Sequence, residues 1–124
     1  MIDEKTMKAW AAALCSGQYT GHCGALRHPT EPRFDPLGVL LELLEPEGWD
    51  EQGKHQLSAG RHTLTHDVLP SSYQEELIHL YDGEHASFEE IACFIRETYP
   101  SLLAHEQALE QAFARFAQNT MKAS

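Results

Sequence analysis

The run Asp35-Pro36-Leu37-Gly38-Val39-Leu40-Leu41-Glu42-Leu43-Leu44-Glu45-Pro46 constrains this chain more than any other. Asp35 can accept hydrogen bonds from the open N–H groups of a helix start. Pro36 suits the first helical position, because its missing N–H forfeits no helical bond. Pro46 stops the helix, since the residue before a proline avoids the α region. Leu37, Leu40, Leu41 and Leu44 share a face, Val39 and Leu43 widen it, and only Gly38, Glu42 and Glu45 interrupt the apolar character. A helix apolar on most sides belongs at the centre of a core.

The rest of the chain supplies elements to surround it. Asp3 can cap a helix over Glu4–Cys15, on which Met7, Trp10, Ala11 and Leu14 recur at i, i+3, i+4 and i+7. Gly17 can close that helix in the left-handed conformation. Residues 19–27 read as a turn and a short strand ending in Gly24-Ala25-Leu26-Arg27, and residues 28–33, with two prolines, as a loop. Gly48, Gly53 and Gly60 break residues 46–70, whose isolated apolar positions Leu57, Leu64 and Val68 fit a short hairpin.

Ser72 with Glu75 reads as a capping box opening a third helix, with Tyr73, Leu77, Leu80 and Tyr81 inward. Ser87 with Glu90 repeats the device for a fourth, along Phe88, Ile91, Ala92, Ile95 and Tyr99, which Pro100 ends. A fifth, over 101–121, sets Leu102, Leu109, Phe113 and Phe116 on one side and offers a dimer contact. The expectation is a mainly α (α+β) single domain over 1–124, of about five helices with a small β-hairpin or short sheet.

Composition narrows function. The 124 residues hold 9 Lys+Arg against 19 Asp+Glu, a formal charge of −10. Phosphate-directed nucleic-acid binding needs clustered Lys and Arg, and docking on an anionic membrane needs basic charge, so both are disfavoured. No apolar run approaches the ~20 residues that span a bilayer, and Met1-Ile2-Asp3-Glu4-Lys5 lacks a signal peptide's hydrophobic region. A soluble, cytoplasmic protein is expected, in which the odd set Cys15, Cys23 and Cys93 stays reduced.

Chemistry-bearing constellations are sparse. His22-Cys23 with His28, and His62 with His66 at i, i+4, are the groups that bear on a metal. Thr63 stands where a zinc-hydrolase helix carries its glutamate, and no CxxC spacing completes a ligand set. Cys23 beside His22 and His28 could form a thiolate, but no orienting third group or oxyanion hole accompanies it. Glu75-Glu76 and Glu89-Glu90 diverge by ~100° on a helix and cannot converge on one atom. No phosphate loop or nucleophile elbow is present, so no catalytic residue, metal ligand or cofactor is assigned and no enzyme is expected.

The acids carry the most information. Residues 34–53 and 62–95 contain no Lys or Arg. Within them Glu42, Glu45, Glu47, Asp50, Glu51, Glu75, Glu76, Asp82, Glu84, Glu89 and Glu90 form the candidate partner-binding set. A negative field on a small rigid domain speeds association with a basic partner, while the alternative is a solvated face that serves solubility alone.

The residues Trp10, Leu14, Ser16-Gly17, Tyr19, Gly24-Ala25-Leu26-Arg27 and Leu37-Gly38-Val39-Leu40, followed by Leu69-Pro70 and Ser87-Phe88-Glu89-Glu90-Ile91-Ala92, form a recognisable series. In it the chain resembles a family of short uncharacterised bacterial and phage proteins. The resemblance covers roughly residues 10–98 and leaves the last helix outside. Many of those proteins carry cysteine just before the Leu-Gly-Val-Leu run, where Asp35-Pro36 stand here, so a thiol site is not implied. The resemblance implies no reaction, but it points to a phage or mobile-element origin. The leading expectation is therefore a non-enzymatic inhibitor, anti-CRISPR-like, that occupies a basic nucleic-acid-binding protein surface. The alternatives are an immunity protein against a nuclease toxin and a small enzyme using His22, Cys23 or His62.

Overall fold

The computed structural model describes residues 1–22, 24–59 and 63–123, the last stretch without the side chains of 110, 113 and 116–123. Four α-helices, α1 (Glu4–Cys15), α2 (Pro36–Leu44), α3 (Ser71–Ile78) and α4 (Phe88–Ala123), accompany a parallel pair of short strands, β1 (Thr20–Gly21) and β2 (Arg33–Phe34). A π-helical turn, His79–Gly83, continues α3. The mainly helical α+β class read from the sequence holds.

α2 is the central element. Pro36, Leu37, Gly38, Val39, Leu40 and Leu41 are all buried, Leu44 is half-buried and Leu43 is exposed. Asp35 caps it through Oδ1, which accepts the Gly38 N–H at 2.7 Å. The first turn is gripped from two sides. Trp10 of α1 donates its indole N–H to the Pro36 carbonyl at 2.8 Å, and the Asp35 N–H donates to the Leu26 carbonyl at 3.2 Å. A Cβ at position 38 would overlap that same Leu26 oxygen, so only glycine allows the 24–35 segment to lie this close.

α1 packs chiefly on α4 and also on α2. Its buried stripe is Met7, Trp10, Ala11 and Leu14, and Asp3 caps it by accepting the Thr6 N–H at 2.8 Å. Gly17, at φ +76°, follows its C-cap Ser16 in the conformation that costs glycine least. Facing this stripe, α4 buries Ile91, Ala92, Ile95 and Tyr99, and the Tyr99 hydroxyl donates to the Ile2 carbonyl.

Several boundaries differ from the sequence reading. The expected fourth and fifth helices are one, α4, which runs through Pro100. A helix-interior proline loses a bond and crowds the preceding turn, at about 3 kcal/mol or more. Here the packing of Tyr99, Leu102 and Leu103 on the core, on both sides of an exposed Pro100, offsets that cost. The separate segment 101–121 is thus the outer half of α4. Beyond Leu103 its described side chains are exposed except half-buried Glu106. Of the side expected to offer a dimer contact, Leu102 packs on the core, Leu109 is exposed, and the side chains of Phe113 and Phe116 lie outside the described residues.

α3 begins at Ser71 on Pro70, whose carbonyl accepts from Tyr73 and Gln74, and Ser72 sits inside the helix without a capping bond. By contrast Ser87 and Glu90 close their box in both directions, at 3.1 and 3.2 Å. The strand expected at 24–27 shrinks to one antiparallel bridge, Arg27 with Phe34, because Gly24 turns the chain at φ +89° and the Leu26 carbonyl serves the start of α2. β1 pairs with β2 instead, Thr20 opposite Arg33 and Gly21 opposite Phe34.

No strand forms among the described residues of 46–70. Single bridges, Trp49 with His55 and Ser58 with Leu64, close two loops there. The buried Gln74 side chain holds the second, accepting the Leu64 N–H at 2.7 Å and donating to the carbonyls of Leu64 (3.1 Å) and Leu69 (2.8 Å). Among the described residues no helix is long and apolar enough to cross a membrane.

Leu40 is fully buried in this arrangement. Leu40→Ala is therefore expected to cost about 2–5 kcal/mol, and Gly38→Ala more than about 4 kcal/mol through the Leu26 carbonyl clash. Denaturant unfolding measures both. An unchanged midpoint in either variant would remove α2 from the centre of the fold.

Candidate functional site

Of the eleven acids singled out by the sequence, nine are exposed and two, Glu42 and Asp82, are half-buried. The loop after α2 gathers the densest group: Glu45, Glu47, Asp50 and Glu51 are all exposed within it. The loop is fastened from below. Glu42 accepts the Trp49 indole N–H at 2.7 Å, a charge-assisted bond that turns this acid from the surface set into a strut. Trp49 in turn lies 5.8 Å from the Phe34 ring and 4.7 Å from His55, edge-on.

His55 is buried and doubly engaged. Its Nδ1 accepts the Leu57 N–H at 3.0 Å, which leaves the proton on Nε2 to donate to the Glu45 carbonyl at 2.8 Å. Asp50 folds the tip, since its Oδ1 accepts the N–H groups of Gln52 and Lys54 at 2.8 and 2.9 Å. Those bonds favour the ionised carboxylate and hold its pKa below the ordinary value. Asp50 is thus a turn-former as well as an exposed charge, and the freely presented acids are Glu45, Glu47 and Glu51.

The second window is more dispersed. Glu75 and Glu76 are exposed on α3, and Glu89 on the first turn of α4. Glu84 lies 3.4 Å from His79 as an exposed ion pair when that histidine is protonated, and Glu90 belongs to the helix cap. Asp82 turns inward. Five α-helical steps of ~100° would set it ~140° away from Leu77. The π-turn, marked by the i→i+5 bond from the Glu84 N–H to the His79 carbonyl at 2.9 Å, rotates less per residue, narrows that arc and leaves Asp82 Oδ1 buried.

Beside the acidic loop lies a cleft of about 630 Å³, lined by His22, Leu26, Arg27, Gln52, Lys54 and Ser58 among others. No Asp or Glu lines it among the described residues, against the chain's overall charge. The Arg27 guanidinium stands 5.6 Å from the Phe34 ring centre and 5.8 Å from Trp49, and donates to the His28 carbonyl at 3.2 Å. His28 Nδ1 accepts the N–H groups of Thr30 and Glu31, and its ring meets His22 edge-on at 5.3 Å. The cleft can accept an anionic group. Sequence reasoning missed it, because Arg27 and Lys54 share no local pattern.

The residues behind the metal and thiol readings are only partly placed: Cys23 and His62 lie outside the described residues. His66 is exposed on a turn rather than on a helix, 3.4 Å from Asp67. Among the described residues no three His, Cys, Asp or Glu side chains gather as a metal site. The exposed Cys93 thiol is pushed up in pKa by the Glu97 carboxylate, which disfavours its thiolate.

No known family model matches the chain, and neither the curated proteins nor the solved structures contain a match.

The Glu42–Trp49 strut gives a direct expectation. Glu42→Ala leaves a half-buried indole N–H without its acceptor, so stability should fall by about 1–3 kcal/mol. Tryptophan emission should also shift to the red as the loop loosens. A variant with unchanged melting and emission would remove the strut from the account.

Proposed function

We propose that this chain is a non-enzymatic, acidic protein-binding module that occupies a basic, nucleic-acid-binding surface of a partner protein. The observation that carries the reading is the loop after α2. Glu45, Glu47 and Glu51 are exposed on a backbone fixed by Trp49, His55 and Asp50, within a stretch free of Lys and Arg. A fixed backbone lowers the ordering cost of association, and carboxylates on it can take the places of phosphates in a basic groove. Glu75, Glu76 and Glu89 extend the negative field. The likeness of the Trp10–Ala92 landmarks to phage and bacterial proteins fits an inhibitor of host defence, anti-CRISPR-like, acting in the cytoplasm without a cofactor.

Pull-down from the native host identifies the partner, and stopped-flow association across ionic strength tests the mode. The Debye length shrinks from ~10 Å at 0.1 M to ~3 Å at 1 M, so association should slow steeply with salt. Lys substitution at Glu45, Glu47 and Glu51 should slow it further with the melt nearly unchanged, as surface changes usually leave it. Lys at Glu75 and Glu76 tests the second window. Rates indifferent to salt and to all five reversals would sink the proposal.

A further inference from the structure

The acid that turned inward has a counterpart. Asp82 and Asp35 line one small cavity between the start of α2, α3 and the π-turn, with Leu37, Leu77 and the Tyr81 ring around them. Its volume, about 10 Å³, is near the threshold for a single water. Asp35 is 4% exposed, and its Oδ1 is committed to the Gly38 N–H. Asp82 Oδ1 is buried with no hydrogen-bond partner among the described residues. A buried carboxylate oxygen left unsatisfied costs several times what an exposed one does, so something must answer it.

The charged surroundings limit what that can be. Of the ionisable residues, Asp35 at the start of α2 and Asp82 and Tyr81 of the π-turn line the cavity and none from α3 does; no Lys, Arg, His or Glu lines it among the described residues. The Tyr81 hydroxyl reaches toward Gly21, where a Cβ would lie 2.7 Å from it. His79 and Glu84 face each other on the exposed side of the turn, and α1 contributes the Trp10 indole to the Pro36 carbonyl. The Arg27 guanidinium is engaged over the Phe34 and Trp49 rings. Two carboxyls in a space of this size are too few ligands for a hard divalent cation, which takes six or more oxygens.

We infer that Asp35 and Asp82 form a proton-binding site: one proton held between the two carboxyls joins the start of α2 to the π-helical turn, and its loss to solvent releases the turn. In the joined state Asp35 accepts from Gly38 through one oxygen and supplies the proton to Asp82 through the other. Without the proton, two like charges share a cavity of about 10 Å³, with room for one water at most. The π-turn yields before α2, because it has neither a side-chain cap nor a buried residue of its own.

Burial pushes the Asp35 carboxyl up to about 8, and the neighbouring Asp82 charge adds to the rise. The direction follows. Between the ordinary carboxylate range and that value, the folded chain keeps a proton that the unfolded chain has lost. Stability therefore falls as pH rises through this window and levels off above it.

Three proteins test the inference: wild type, Asp35→Asn and Asp82→Asn, each followed by carboxyl-carbon NMR titration and by denaturant unfolding from about pH 5 to 9. In wild type Asp35 should titrate above pH 7, and the folding equilibrium constant should drop by up to tenfold per pH unit across the window. Asp35→Asn keeps a competent cap, so it should fold, lose that slope and exceed wild type in stability above pH 8. Asp82→Asn removes the like charge and offers Asp35 an amide donor, so the remaining titration should fall by more than about one unit. Three results would overturn the inference. One is an Asp35 carboxyl that titrates below pH 6. Another is an Asp82→Asn profile identical to wild type, which would make burial alone the cause. The last is stabilisation of wild type at pH 7 by Mg²⁺ or Ca²⁺ that both variants lack, which would make the site a cation site.

Discussion

The carbonyl of Leu26 is the point on which the other contacts turn. It accepts the Asp35 N–H and occupies the space a side chain at position 38 would need. Through that approach the 24–35 segment is laid against α2, and the helix becomes enclosed on the side that α1 does not cover. Trp10 completes the enclosure, since its indole N–H reaches the Pro36 carbonyl while its ring fills the core. An apolar helix of only nine residues is marginal by itself, and burial on several faces is what makes it persist.

Enclosing the start of α2 has an electrostatic consequence. A helix cap is ordinarily a solvated carboxylate, and here burial places it where charge is costly. Asp82, brought inward by the π-turn, meets it there. The same burial that secures α2 therefore sets up the carboxyl pair, while the far end of α2 leads into an exposed acidic loop. One short helix thus separates an internal pair of carboxyls from an exposed acidic loop.

Much of this was legible in the sequence wherever a local rule and the tertiary fold agree. The α1 stripe, the Asp35-Pro36 start and the Ser87–Glu90 box are of that kind. Pro100 failed as a stop because core packing on both sides outweighed its local preference. The loops of 46–70 resisted reading because Gln74, His55 and Asp50 hold them through side chain-to-backbone bonds, which leave no periodic trace. Among the acids, Glu42 and Asp82 read as surface charges. The tie of the first to Trp49 and the π-register of the second exist only in three dimensions. The cationic cleft joins residues from two distant segments, so no spacing announces it.

Native-state amide hydrogen exchange tests the central place of α2 most directly. If the Leu26–Gly38 approach and the Trp10 bond hold the fold together, the amides of Val39, Leu40 and Leu41 exchange only through global unfolding. Their denaturant dependence then equals that of Ala92 and Ile95 in α4, while the amides of residues 50–58 exchange by local opening. Exchange of the α2 amides at lower free energy than those of α4 would contradict the account.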